Sequence, residues 1–341
     1  LLPVDERLTK NAKVEAALQE FRDVINEKYL SRFDCSFDEV LAEAPFGFTP
    51  IDTFGNEQGE EPLGNLISDA FIAAVKEAEG VNYRNVDVAI VPYGTIRASL
   101  AKGPVTVADA YNVSSLGIGP DKVPGYPLVS LYLTGAELKT AAEVDISIST
   151  LMIDARLYMS GLTYTYNPNR LILNRVTSVQ LVSPEGRISD LDDAKLYRVV
   201  GGLYSCQMLG EVEAQSYGLL SITPKDVSGK PIGNFEQHII YSDEVELKEW
   251  VALANYLASF DAVDGTPRIP EYYSQLHDRK VLDDSNSLVD ILKNPNKIAF
   301  IVLGVIVVVL AILIVPTVLI IRRVRRRSKR ARLAKAQEQQ E

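Results

Sequence analysis

Residues 298–321, IAFIVLGVIVVVLAILIVPTVLII, form a run of 24 residues without a single charge. As a helix rising about 1.5 Å per residue, the run spans about 36 Å, against roughly 30 Å of bilayer hydrocarbon. A helix on the surface of a soluble core carries one apolar stripe, whereas this run is apolar on every face. It is therefore read as one membrane span, which Pro316 bends slightly without breaking.

The segment that follows, residues 322–341, holds nine Lys or Arg against two Glu, while the preceding flank offers only Lys293 and Lys297 close by. Basic residues stay on the cytoplasmic side of a span. The expectation is a single-pass protein of the cell membrane, with residues 1–297 outside, a basic cytoplasmic tail, and the lipid bilayer as a partner. Beside a membrane such a tail binds anionic head groups. The chain carries a formal charge of −10, of which the tail contributes +7, so residues 1–321 hold −17. A body that acidic excludes nucleic acid as a partner and favours solubility.

The chain opens on Leu1 without a charged segment, apolar stretch and small-residue cleavage site, so it reads as a piece of a longer one. Cys35 and Cys206 could form one bridge in an oxidising space, but two cysteines make no disulfide framework.

Val14, Ala17, Leu18, Phe21, Val24 and Ile25 recur at helical spacing within residues 8–32, and Leu63, Leu66, Ile67, Ala70, Phe71, Ala74 and Val75 do so again before Gly80. CSFDEVLAEA, VDVAIVP and YPLVSLYLT read as strands, as do LTYTYNP, RVTSVQLV and KLYRVVG. Thr106 is placed to cap a helix, and Thr134 with Glu137 has the spacing of a capping box. Further helices are expected at about 205–215 and at 243–260, the latter around Trp250. Residues 261–297 are polar and read as a short helical stalk. The whole is mixed α and β.

Catalytic nitrogen is scarce. His238, in EQHIIY, reads as a strand residue, and neither it nor His277 belongs to a metal-ligand spacing. No GxSxG and no phosphate-cradling GxxxxGK[ST] occurs. The chain as given is therefore expected to have no phosphohydrolase activity, with no cofactor bound in it.

Two stretches stand out: EEPLGNLISDAF at residues 60–71, and GTIRASLAKGPVTVADAY at residues 94–111, followed by LVSLYLTGAELKTAAE. In this order and spacing they resemble the C-terminal domain of the 5'-nucleotidase and UDP-sugar hydrolase family, and the likeness runs on through SGLTYTY and LYRVV to about residue 230. The resemblance implies an α+β fold, a mixed sheet with flanking helices. It also implies a division of labour: an upstream metallophosphatase domain holds divalent metal ions and hydrolyses the phosphoester, and this domain grips the nucleotide. Arg97 and Gly94 match the family's GGGIR segment, and Tyr204 falls near the second stacking aromatic. The family's PFGN loop reads SSLGIG here, with Leu116 at the aromatic position.

The organisation that follows is residues 1–34 as a linker helix from the upstream domain, 35–260 as the family domain, 261–297 as a juxtamembrane stalk, 298–321 as the span and 322–341 as the tail. The function implied is the substrate-binding half of a membrane-anchored hydrolase of nucleotide catabolism. The alternative is a non-catalytic cell-surface binding or spacer module that keeps the fold.

Overall fold

The computed structural model describes residues 9–209 and 220–338. The chain divides into two compact units, one up to Ser285 and one from Asn286 onward.

In the first unit, α1 (Ala12–Lys28) starts at Asn11, whose side chain accepts the Lys13 and Val14 N–H groups left free by the helix end. Next come β1 (Val40–Ala44), α2 (Pro62–Glu79), β2 (Val88–Pro92), β3 (Gly103–Thr106), α3 (Val107–Val113), β4 (Leu128–Thr134) and α4 (Gly135–Glu143). They are followed by β5 (Leu157–Ser160), β6 (Leu162–Tyr166), β7 (Val176–Val182), β8 (Ile188–Asp190), β9 (Leu196–Gly202) and α5 (Leu203–Gln207). The unit closes with the pair β10 (Tyr241–Ser242) and β11 (Val245–Glu246), then α6 (Glu249–Ala258), the pair β12 (Ala262–Val263) and β13 (Thr266–Pro267), and β14 (Lys280–Leu282).

The central sheet runs β4-β9-β2-β5, with β2 parallel to β9 and the outer pairings antiparallel. A second sheet runs β14-β6-β7-β8, in which β14 joins parallel to β6. The apolar stripe of α2 is buried from Leu63 to Val75 and packs with α6, so that Leu66, Ile67, Trp250 and Leu253 are fully covered. Thr106 with Asp109 and Thr134 with Glu137 both form complete capping boxes, which start α3 and α4 where β3 and β4 end.

Three expectations are corrected. Residues 261–285 are packed into the first unit rather than extended as a stalk: Ile269 and Tyr273 are buried, and β14 completes the second sheet. These apolar residues are too sparse to give a period, and pairing partners far away in sequence hold them. The helix expected from 243 begins only at Glu249, because Tyr241–Glu246 turns back on itself as β10 and β11. His238 ends a short 3-10 turn instead of lying in a strand. Of the helix expected at 205–215, the start is described, at Leu203–Gln207, and residues 210–219 lie outside the described residues. Cys35 and Cys206 are both free thiols.

The second unit holds α7 (Leu288–Leu292) and α8 (Lys297–Glu338). The long helix runs through Pro316 without interruption and on into the basic segment. It is the one helix among the described residues that is long and apolar enough to cross a membrane.

Candidate ligand-binding site

Strand β2 ends at Pro92 and passes into a single 3-10 turn, Tyr93–Thr95, pinned by the Tyr93 N–H on Arg156 O at 2.7 Å and by the Thr95 hydroxyl on Pro92 O at 2.9 Å. Ile96 is buried beneath the turn, and Arg97 beyond it is exposed. The Arg97 N–H donates to Val113 O at 2.8 Å, which ties the arginine to the last residue of α3. Its guanidinium makes no hydrogen bond or ion pair with the described residues, so no surface carboxylate holds it. Gly94 has a packing role: a Cβ there would lie 3.1 Å from Asp154 Cβ and 3.3 Å from its Oδ1.

Tyr204 stands in the first turn of α5, 38% exposed, and stacks on Tyr126 with ring centroids 5.4 Å apart and planes 17° from parallel. The Tyr126 N–H donates to Leu116 O and the Gly125 N–H to Gly117 O, both at 2.9 Å. Gly117 has φ +74°, and a Cβ there would run into the Tyr126 ring, so only glycine lets this loop lie on that ring. Tyr126 is the aromatic that sequence reasoning missed, although it directly follows Pro124 and Gly125 in the turn-rich loop. Leu116, at the family's aromatic position, serves this loop through its carbonyl.

One stretch of backbone is bonded to the elements that carry both candidate residues. Val113 O accepts the Arg97 N–H, and Pro127 O accepts the Leu203 N–H at 2.9 Å. The segment from Val113 to Pro127 is thus fixed at one end to the arginine turn and at the other to the helix that carries Tyr204.

Behind the two tyrosines lies a group that the sequence did not reveal. The Glu249 N–H donates to Tyr126 O at 2.9 Å, and its carboxyl is buried, with Oε1 lacking any hydrogen-bond partner among the described residues. Burial pushes the Glu249 carboxyl up to about 8. It is therefore held mostly protonated at neutral pH, and it adds little negative charge behind the tyrosine wall. Gly202 makes room for it, since a Cβ there would collide with Glu249 Oε1. Burial also raises the neighbouring Cys206 thiol, and Glu249 adds to that shift.

Among the described residues no three His, Cys, Asp or Glu side chains converge as a metal-ligand set. His277 is engaged elsewhere, stacked on Tyr272 at 3.5 Å. What the described residues offer at this candidate site is a charged fork, an aromatic face and backbone groups.

Residues 42–215, just over half of the chain, match the family described as 5'-nucleotidase, C-terminal domain. The chain is 29% identical over 207 residues to the trifunctional nucleotide phosphoesterase protein YfkN of Bacillus subtilis, covering 58% of this chain and 12% of that protein. It is also 29% identical over 147 residues to the endonuclease YhcR of the same organism, covering 42% of this chain and 10% of that one. The chain thus spans only a small part of the length of these curated relatives. Among solved structures, it superposes on the 5'-nucleotidase precursor of Thermus thermophilus with a TM-score of 0.52 at 22% identity, over 80% of this chain and 43% of that one. On the NAD nucleotidase of Haemophilus influenzae the TM-score is 0.51 at 16% identity, over 81% and 42%. At these identities the structural likeness speaks for the fold, and with the match over residues 42–215 it leads to one conclusion: the chain belongs to the 5'-nucleotidase C-terminal domain family.

Proposed function

We propose that this chain is the nucleotide-gripping half of a membrane-anchored, metal-dependent phosphoester hydrolase. Arg97 clamps the anionic or hydroxyl-rich part of the ligand, Tyr204 offers the stacking face, and Gly94 keeps the turn close enough for Arg97 to reach. An upstream metallophosphatase domain supplies the divalent metal ions and the hydrolysis, and α8 anchors the protein with its basic end in the cytoplasm and residues 1–297 outside.

The observation that carries this reading is the unpartnered Arg97 guanidinium, joined through Val113–Pro127 to the helix of Tyr204. An arginine kept without a protein partner keeps its planar fork for phosphate or ribose oxygens. The names of the relatives, a nucleotide phosphoesterase and two nucleotidases, support the substrate class. The uncharged helix with nine basic residues beside it supports the anchor and its direction.

The test compares full-length wild type with Arg97→Ala and Tyr204→Ala across nucleotides, nucleotide sugars and a simple phosphomonoester. Loss of a charge-assisted contact removes about 1.5 to 3 kcal/mol, so kcat/KM for nucleotides should fall roughly 10-fold to 150-fold in Arg97→Ala. Hydrolysis of the small phosphomonoester should change least in Tyr204→Ala, since that substrate lacks a nucleobase. Unchanged nucleotide hydrolysis in both variants would leave the spacer module as the better reading. For the anchor, protease added to intact cells should remove residues 1–297 and spare the tail, and a protected ectodomain would refute the topology.

A further inference from the structure

A cavity of about 490 Å³ opens on a different set of residues, between the end of α1, the turn after it, α3 and the loop around Lys122. That volume is ample for a small ligand. Tyr29, Phe37 and Tyr111 supply aromatic walls, and the rim carries Lys28, Arg32 and Lys122 with no Asp or Glu among the lining residues.

The walls are fixed in advance. The Tyr29 hydroxyl donates to Pro124 O at 2.9 Å, and the Tyr29 ring meets Tyr111 edge to face with centroids 5.8 Å apart. Trp250 backs both rings, 5.9 Å from Tyr29 and 5.8 Å from Tyr111. A pocket whose rings are already braced loses little freedom when a ligand enters.

The rim charges are available. Arg32 and Lys122 make no side-chain hydrogen bond or ion pair with the described residues, and Lys28 pairs only with its neighbour Glu27, both side chains 70% exposed. Such an exposed pair yields easily to a better anion. The nearby carboxylates Asp121 and Glu246 are already taken by Lys248, at 2.8 Å and 2.6 Å. Three cations therefore surround an aromatic cavity on a body whose residues 1–321 carry −17.

We propose that this cavity is a second small-molecule site, separate from the Arg97 and Tyr204 site, that takes a flat aromatic ring bearing a phosphate, phosphonate or sulfonate. The ring lies among Tyr29, Phe37 and Tyr111, and the anion meets Arg32 and Lys122 at the mouth.

Trp250 is the chain's single tryptophan and stands buried behind the Tyr29 and Tyr111 walls, so its fluorescence reads the cavity through them. The experiment titrates the full chain, in an uncharged detergent, with 4-nitrophenylphosphonate, a nitroaromatic anion that quenches indole fluorescence. Saturable quenching is expected, at least tenfold weaker with neutral 4-nitrobenzyl alcohol and not relieved by an equal concentration of inorganic phosphate. Charge reversal at two exposed positions, Arg32→Glu with Lys122→Glu, should weaken the affinity at least tenfold. Ala108→Leu, which fills the cavity from α3, should abolish the quenching while the unliganded Trp250 spectrum stays native. Arg97→Ala and Tyr204→Ala should leave the titration unchanged. Quenching that is absent, that is equal for the neutral ring, that survives the double charge reversal, or that is lost in Tyr204→Ala would overturn the proposal. None of these results bears on nucleotide hydrolysis, so this site and the Arg97 site stand or fall separately.

Discussion

Two polar regions of the first unit obey opposite rules. In the seam where β14 meets β6 and α2, every buried carboxylate is answered. Asp145 accepts from Lys280 at 3.0 Å, from the Tyr164 hydroxyl at 2.6 Å and from the Leu157 N–H at 2.7 Å. Asp69 takes Arg279 at both oxygens, 2.9 Å and 2.7 Å, and Glu60 accepts the His277 and Arg279 N–H groups at 2.8 Å and 2.9 Å. Around the tyrosine wall the reverse holds. Ser205 Oγ and Glu249 Oε1 are buried without a hydrogen-bond partner among the described residues, and the Arg97 guanidinium, on the turn tied to Val113, has none among them either. Desolvated polar groups cost stability unless they are paired. The carboxylates of the seam meet that cost with partners; unmet buried polar atoms stand beside the tyrosine wall at Ser205 and Glu249, and also near the seam at Arg156 Nε and Tyr158 Oη.

The largest effect expected from this contrast lies in the seam. Asp145→Ala leaves the Lys280 ammonium buried without its carboxylate and should destabilise the unit by about 3 to 5 kcal/mol. Trp250 fluorescence during denaturant unfolding of the full chain in detergent reads the change. Pairing the substitution with Lys280→Met should recover much of the loss, because the uncompensated charge goes with it. A double variant as unstable as the single one would mean that the seam rests on something other than its ion pairs.

Glu249 sharpens the contrast through pH. Its carboxyl is raised by burial from 4.5 to about 8, so the folded chain holds a proton there that the unfolded chain has released. The contribution of Glu249 to folding stability therefore falls as pH rises from about 4.5 to about 8, by about 1.4 kcal/mol per pH unit within that window. Glu249→Gln cannot ionise and should flatten this slope, which thermal melts between pH 5 and pH 8 will read. An identical slope in wild type and variant would show that the carboxyl is charged in the folded state, with a partner that answers it.

How much of this was legible in the sequence follows from the range of each interaction. The capping boxes at Thr106 and Thr134 and the apolar stripe of α2 are local, and the residue spacing displays them directly. The seam is not local: Lys280 lies 135 residues from Asp145, and Arg279 lies 210 from Asp69. With those partners out of view, residues 261–285 looked like a polar stalk. The proposed site rests on local motifs and on contacts that no motif displays. Arg97 and Tyr204 could be placed by ordered motifs, but Tyr126 lies in a loop with no period, and the burial of Glu249 depends on Gly202, which is supplied by another element. The stacking aromatic expected opposite Tyr204 became Leu116, and the ring that meets Tyr204 comes from further along the same loop.

The smallest expected effect separates the two regions most cleanly. Arg97 is exposed, its guanidinium touches no described partner, and the Arg97 N–H bond to Val113 O survives any side-chain change except proline. Arg97→Ala should therefore shift the unfolding free energy by no more than about 0.5 kcal/mol, in keeping with a surface site free of structural duty. Arg279→Ala, measured in the same way, strips Asp69 of its bidentate partner and should cost several times as much. If Arg97→Ala instead destabilises the chain by more than about 1 kcal/mol, the arginine supports the loop that it adjoins. The distinction between a paired, structural region and an unpaired, recognising one would then fail at the residue on which it most depends.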